Sequence, residues 1–277
     1  MKHDKISFAI KVTNWCNLKC AHCCENSGPR VMPNLMPVAK VEKYIGEFQA
    51  MPLSKWNHLV FTGGEAMAPY FLHNNEYMPR CLSIAGNAGM YPFVKTNGIW
   101  GADEALRHRI LQDCADVAEK NGKMTSLDIS VDEFHKNVPA VAQIIVDIAS
   151  SDYLARRVRV SICGLDTIKS HAQFNYLIAY LKSRNVHVFP CEHDFIAALG
   201  TVGTRVLFDF STPVARMGRA KTKGMGETIP DGATDSVLGN CLQIDNDDIA
   251  TLNYYYKTPV NGRPVFDVAR ELLLKVR

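Results

Sequence analysis

The 277-residue sequence has no apolar run near the roughly 20 residues that a membrane-spanning helix needs. It is therefore not expected to sit in a membrane. An excess of charge of either sign is also lacking. The 31 Lys and Arg against 28 Asp and Glu leave a net +3, too little to argue for nucleic acid as a partner. One local basic group, Arg216, Arg219, Lys221 and Lys223, is interleaved with glycine and reads as a loop near a ligand or a solvated turn. The chain shows no internal repeat and no low-complexity segment. Its opening, MKHDKISFAIKV, carries neither the long apolar stretch nor the small-residue cleavage site of a secretory signal. The expectation is a cytoplasmic protein.

What is present is ordinary globular material: 47% apolar and 21% charged residues, at a length that suits one or two domains. Apolar and β-branched runs predict strands at 6–13, 58–62, 91–96, 125–131 and 157–163, with further apolar runs at 186–191 and 205–211. Between them, helical spacing appears at 37–50, 74–90, 102–121, 137–150 and 170–184. Strands alternating with helices imply βαβ units and a parallel sheet. After Gly218 the alternation degrades, and the tail reads as a hairpin over 241–257 and a final helix from Phe266.

Nine cysteines, an odd number at uneven spacing, do not suggest a disulfide framework in a chain of this size. Three of them, Cys16, Cys20 and Cys23, follow the first strand at the spacing C-x-x-x-C-x-x-C. Thiolates bind the soft irons of a 4Fe–4S cluster, which takes four when fully protein-ligated. Three from one loop leave an iron open to a small chelating ligand. A structural zinc site would need a second matching pair, which is absent, and a cysteine-rich turn without metal is the plainest alternative. Cys24 is a spare thiol too close to Cys23 to join the same cluster easily.

The segment from Ile6 to Glu25 resembles the first strand and cluster loop of the radical S-adenosylmethionine superfamily. The resemblance implies that Cys16, Cys20 and Cys23 hold three irons of a 4Fe–4S cluster and that the amino and carboxylate groups of S-adenosylmethionine chelate the fourth. His22 falls where the family usually has an aromatic residue whose backbone lies near the adenine; a plain packing role is the alternative. Gly63-Gly64-Glu65 resembles the family's GGE motif, which contacts the methionine amino group. Lys95-Thr96-Asn97-Gly98 resembles the TNG motif of peptide-modifying members, although alone it is an Asn-Gly turn. Ser130-Val131-Asp132 resembles S-x-D, whose side chains lie near the cofactor ribose and carboxylate, and His135 follows as a further candidate beside an exposed-loop reading. Each motif sits at the C-terminal end of a predicted strand, the face that carries the active site in a parallel α/β barrel. The implied fold is an α/β partial (β/α)6 parallel barrel over residues 1–220, with a short C-terminal hairpin-plus-helix extension over 221–277.

Cys163 and Cys191 end the fifth and sixth apolar runs, and Cys241 opens the tail hairpin. Each is a candidate hydrogen-atom donor, against the alternative of a small buried apolar side chain; Cys81 and Cys114 read as core. Gly218-Arg219-Ala220 resembles the end of the barrel in relatives with a SPASM domain, but the later cysteines of that domain are missing, so the chain looks like a shortened relative. The resemblance implies reductive cleavage of S-adenosylmethionine to a 5′-deoxyadenosyl radical, which abstracts hydrogen from a substrate C–H bond. It also implies an electron donor of the flavodoxin or ferredoxin type. The motifs lean toward peptide modification or natural-product biosynthesis, while the lack of a separate peptide-recognition segment leaves a sugar or nucleoside substrate open. A non-catalytic iron–sulfur protein is the competing class, but it has no need of GGE and S-x-D. An iron-free methyltransferase would need a glycine-rich turn where the cysteines stand.

Overall fold

A computed structural model describes residues 6–23, 25–52, 55–191, 194–212, 240–252 and 256–276. The elements in chain order are β1 (Ile6–Thr13), α1 (Val38–Ala50), β2 (Lys55–Gly63), α2 (Ala68–Phe71), α3 (Tyr77–Asn87), β3 (Tyr91–Thr96), a 3-10 turn (Ile99–Ala102), α4 (Glu104–Asn121), β4 (Thr125–Ser130), α5 (Val138–Ala149), α6 (Asp152–Ala155), β5 (Val158–Leu165), α7 (Ile168–Ser183), β6 (His187–Pro190), β7 (Asp194–Leu199), β8 (Val202–Thr212), β9 (Asn240–Ile244), β10 (Ile249–Leu252), β11 (Tyr256–Pro259) and α8 (Val265–Val276). This is a mixed α/β fold built on a mainly parallel sheet, as the alternation implied. No helix among the described residues is long and apolar enough to cross a membrane. The chain forms two compact units, one of residues 1–19, 25–93 and 228–277, the other of residues 20–24 and 94–227.

In the first unit β1 is buried along its whole length, because it is flanked on both sides, by β2 and by β9, each parallel to it. ISFAIKVT alternates apolar residues with Ser7, Lys11 and Thr13, and these polar residues are buried as well. Helix α1 turns Val41, Tyr44, Ile45 and Phe48 inward, a helical stripe at i, i+3, i+4, i+7, and Phe48 stacks on Phe8 with ring centroids 4.4 Å apart. The expected tail hairpin and helix are present: β10 pairs antiparallel with β9, and β11 with β10. The hairpin is tied to α1, where Lys40 Nζ donates to Asn246 O at 2.7 Å and pairs with Asp248 Oδ1 at 2.8 Å, and the Tyr44 hydroxyl donates to Asp248. Glu47 Oε2 accepts the Val265 N–H at the start of α8, at 2.7 Å.

In the second unit β4 and β5 run parallel, and β8 joins β5 in parallel. Asp103 caps α4 by accepting from Leu106 N at 3.0 Å, and Gly122, at φ 63°, closes it. One expectation is corrected here. The run 186–191 is not a parallel strand: β6 is a short strand antiparallel to β7, itself antiparallel to β8. The cause is Gly200, at φ 65°, which permits the two-residue turn between Leu199 and Val202 and folds this stretch into a hairpin. The parallel place beside β5 goes to the later run, in β8. The basic group at 216–223, Gly218-Arg219-Ala220 and Cys24 lie outside the described residues.

Candidate active site

In the first unit, two segments meet where β1 and β2 end. Gly64 N donates to Thr13 O at 2.8 Å, and Glu65 N to Trp15 O at 2.9 Å. The GGE turn is thereby stitched to the residues just before Cys16. Only glycine permits so close an approach: a Cβ on Gly63 would lie 2.3 Å from Thr13 O, and one on Gly64 2.1 Å from Trp15 O. Glu65 is 1% exposed, and its Oε1 accepts from Met67 N at 2.8 Å. Cys16 is buried and its sulfur accepts from Leu18 N at 3.3 Å. Further along the loop, Glu25 pairs with Lys11 of β1, which fixes the loop's return.

In the second unit, Cys23 N donates to Cys20 O at 3.3 Å, so Cys20 and Cys23 sit on one turn. Strand alternation and the register Asp128↔Ser161, Ser130↔Cys163 put these four side chains on one face of β4 and β5. Leu127, Ile129, Val160 and Ile162 are fully buried on the other. Ser130 Oγ lies 3.8 Å from Cys163 Sγ, and Lys95 Nζ lies 3.6 Å from Asp128 Oδ2. Burial, aided by the Asp128 charge, pushes the Cys163 thiol up to about 12, so it stays a neutral S–H.

Just past β4, Asp132 is 3% exposed. Its Oδ1 accepts from Phe134 N at 2.8 Å and His135 N at 3.2 Å, and lies 2.8 Å from His135 Nδ1. Burial works to raise its pKa, but the hydrogen bond and charge of His135, the nearby His22 and the Phe134 N–H together hold it below the usual carboxylate range. Burial likewise works to lower His135, but its hydrogen bonds to Asp132 and to the Cys20 side chain outweigh that and raise it to about 10. His22 packs its ring on Phe134 at 4.5 Å and edge-on to His135 at 5.3 Å, with Nε2 4.0 Å from Asp132 Oδ2. The second unit thus gathers Cys20, His22, Asp132 and His135 into one cluster, and His135 is no exposed-loop residue.

Asn97 is buried; its Oδ1 accepts from Ile99 N at 3.0 Å, while its carbonyl accepts from Asn137 Nδ2. The same Nδ2 donates to Ser130 O at 2.8 Å. Asn137 therefore ties the end of β3 to the end of β4, a role that sequence reasoning missed. Its position at the N-cap of α5 was its sole signal, yet its side chain makes no cap bond there. Of the three candidate donors, only Cys163 is placed with Ser130. Cys191 is exposed beyond β6, which β8 and β7 separate from β5. Cys241 pairs with Ser7 through the backbone, and its side chain lies outside the described residues.

The family model of the radical SAM superfamily matches residues 10–159, a span that contains every motif named above at a strand end. The chain belongs to the radical SAM superfamily. The family implies a 4Fe–4S cluster and S-adenosylmethionine as cofactors. Among solved structures, this radical SAM chain is similar to BtrN in complex with AdoMet and 2-DOIA, at 11% identity and a TM-score of 0.50, covering 99% of this chain and 88% of that one. It is also similar to Streptococcus suis SuiB bound to S-adenosylmethionine, at 12% identity and a TM-score of 0.47, covering 96% of this chain. The chain spans 65% of SuiB's length. At these identities the likeness is one of fold. No curated protein matches the sequence. The donor set suits the implied cluster: Cys16, Cys20 and Cys23 stand in one loop, none in a disulfide, and thiolates are the ligands that such a cluster takes.

Proposed function

We propose that the protein holds a 4Fe–4S cluster on Cys16, Cys20 and Cys23 and cleaves S-adenosylmethionine reductively to activate a substrate C–H bond. The observation that carries this reading is the pair of hydrogen bonds from Gly64 and Glu65 to Thr13 and Trp15, which hold the GGE turn against the start of the cysteine loop. When bound and reduced by one electron from an external donor, the cluster and S-adenosylmethionine would supply a 5′-deoxyadenosyl radical able to take hydrogen from a substrate C–H bond. Gly63 and Gly64 bring the backbone close to the methionine end of that cofactor, and Glu65 receives its ammonium. Asn97 and Ser130 orient the ribose side, on strand ends that Asn137 holds in place, and the His22 backbone borders the adenine. Asp132, committed to His135 and two backbone N–H groups, acts there through that imidazole. Cys163, a neutral thiol beside Ser130, is the hydrogen-atom donor of the three candidates.

The reading extends to a substrate of the peptide or natural-product class, supported by the TNG-like and S-x-D-like segments, and to a flavodoxin- or ferredoxin-type donor in the cytoplasm. Residues 1–220 form the catalytic core and 221–277 its extension. The test is anaerobic reconstitution with iron and sulfide, reduction with dithionite, addition of S-adenosylmethionine and mass spectrometry for 5′-deoxyadenosine. The wild type is expected to form it and the triple Cys16→Ala/Cys20→Ala/Cys23→Ala variant to form none. Equal yields from both would refute the reading.

A further inference from the structure

Asn137 ties the end of β3 to the end of β4, and a second side chain makes a similar tie one strand further on. Glu133 stands in the loop after β4, next to Asp132. Both of its carboxylate oxygens face the start of α7, the helix that follows β5. The Thr167 hydroxyl donates astride them, 3.2 Å from Oε1 and 3.0 Å from Oε2, and the Ser170 hydroxyl donates to Oε2. Ser170 is completely buried. Its N–H donates to Thr167 Oγ1 at 3.1 Å, which makes Thr167 the N-cap of α7. The backbone follows the same path, since Val131 N donates to Cys163 O at 2.8 Å. All of these residues belong to the second unit.

The arrangement is a capping box divided between two loops. In the usual form a Ser or Thr N-cap bonds the N–H three residues on, and a Glu or Gln at that third position reaches back. In α7 the third position is Ser170, and the carboxylate arrives from Glu133, 34 positions before Thr167. A carboxylate at a helix N-terminus also meets the positive end of the helix dipole, and the first turn of α7 has no acidic residue of its own. Because the charge comes from outside the helix, the same bonds that cap α7 also clamp loop 131–137 to the turn between β5 and α7. Glu133 spends its oxygens on α7, so its effect on the site passes through the neighbours it holds. We infer that Glu133 is a positioning residue: through Thr167 and Ser170 it fixes the loop that carries Asp132, and so keeps Ser130 and Asp132 in place for S-adenosylmethionine. The inference rests on the cofactor reading made above and adds to it a residue that acts through its neighbours.

Hydrogen exchange of the metal-free protein reads the clamp itself. Glu133→Gln keeps the shape but leaves one oxygen for two hydroxyl donors, and it is expected to speed exchange over 131–137 as well as at the start of α7. Ser170→Ala removes one donor, leaves the Thr167 cap, and is expected to do the same. A role confined to capping would speed exchange in α7 alone, and that result in both variants overturns the inference. The KM for S-adenosylmethionine, from dithionite-driven formation of 5′-deoxyadenosine by the reconstituted protein, reads the consequence. Both variants are expected to load wild-type iron and to raise KM roughly fivefold, the factor that one lost hydrogen bond corresponds to. Their kcat is expected to stay within about twofold of wild type, as when binding rather than chemistry is lost. Glu133→Gln/Ser170→Ala should go little further than the stronger single variant, because both act on one contact. Ser151→Ala, which uncaps α6, should lower the denaturation midpoint and leave KM unchanged. A wild-type KM in a fully loaded Glu133→Gln protein overturns the inference; if that variant does not fold, a wild-type KM in Ser170→Ala overturns it instead. A wild type that forms no 5′-deoxyadenosine refutes the cofactor reading itself, an outcome separate from the exchange result.

Discussion

Two strand-end regions carry the proposed cofactor-binding residues, and they are held in place by different means. At Gly63–Glu65 the backbone does the work: N–H groups reach the carbonyls of Thr13 and Trp15, and glycines leave room for no side chain. At Asn97, Ser130 and Asp132 side chains do it: the Asn137 amide spans two strand ends, and Asp132 fixes His135. The first segment is selected by shape and the second by hydrogen-bonding chemistry. Substitutions should therefore fail in different ways in the two places.

The largest effect is expected where chemistry alone decides. Cys16→Ala, Cys20→Ala and Cys23→Ala should each lose bound iron and bring 5′-deoxyadenosine below detection, while Cys24→Ala keeps both; iron assay and mass spectrometry check this. Next is Gly64→Ala. Its methyl would stand 2.1 Å from Trp15 O, so the turn must move, at a cost of ~3 kcal/mol in unfolding free energy, measured by denaturation. Gly46→Ala in α1, with nothing within 4 Å of the new Cβ, should instead stabilise by about 0.5–1 kcal/mol. A loss at both sites would mean that crowding is not what selects glycine in the GGE turn.

In the second segment Asn137→Asp keeps the shape and removes the donors. About 2–3 kcal/mol should be lost, as expected when buried carbonyls lose their partner. A neutral result would erase the distinction between the two segments. The smallest effect concerns His58 on β2, whose pKa burial lowers. Its folded form favours the neutral ring. Stability should be full above the ordinary histidine pKa of about 6.5 and fall as pH drops from there through the lower folded value. His58→Gln should flatten that decline in pH-dependent denaturation.

Most of the alternation of β1 through α7 was legible because the strands were short apolar runs and the longer helices kept their period; the four-residue helices α2 and α6 are too short to show one. Helix α4 even carried its stop at Gly122. The hairpin from β6 to β8 was not, because its apolar runs look alike whichever way they pair; only the turn at Gly200 distinguishes them, and a single glycine is a weak sign. The insertion of β9 beside β1 was equally hidden, since nothing local in Asn240–Ile244 names a partner so distant in sequence. In the site, the cysteine spacing and GGE were visible as local patterns. The packing of His22 on Phe134 and His135 joins residues more than 100 positions apart, and nothing local marked Asn137 as a bridge between two strand ends.

The pairing of β1 with β9 also bears on how the chain is made. β1 is synthesised well before β9, which begins only at Asn240. At the usual pace of synthesis, the wait between them is roughly 10–50 s. For that interval one whole edge of a strand that ends up buried along its length stands open, directly beside the cysteine loop. Contacts so distant in sequence also slow the final closure. That edge of β1 thus stays open until the C-terminal hairpin arrives, and β9 is the strand that covers it.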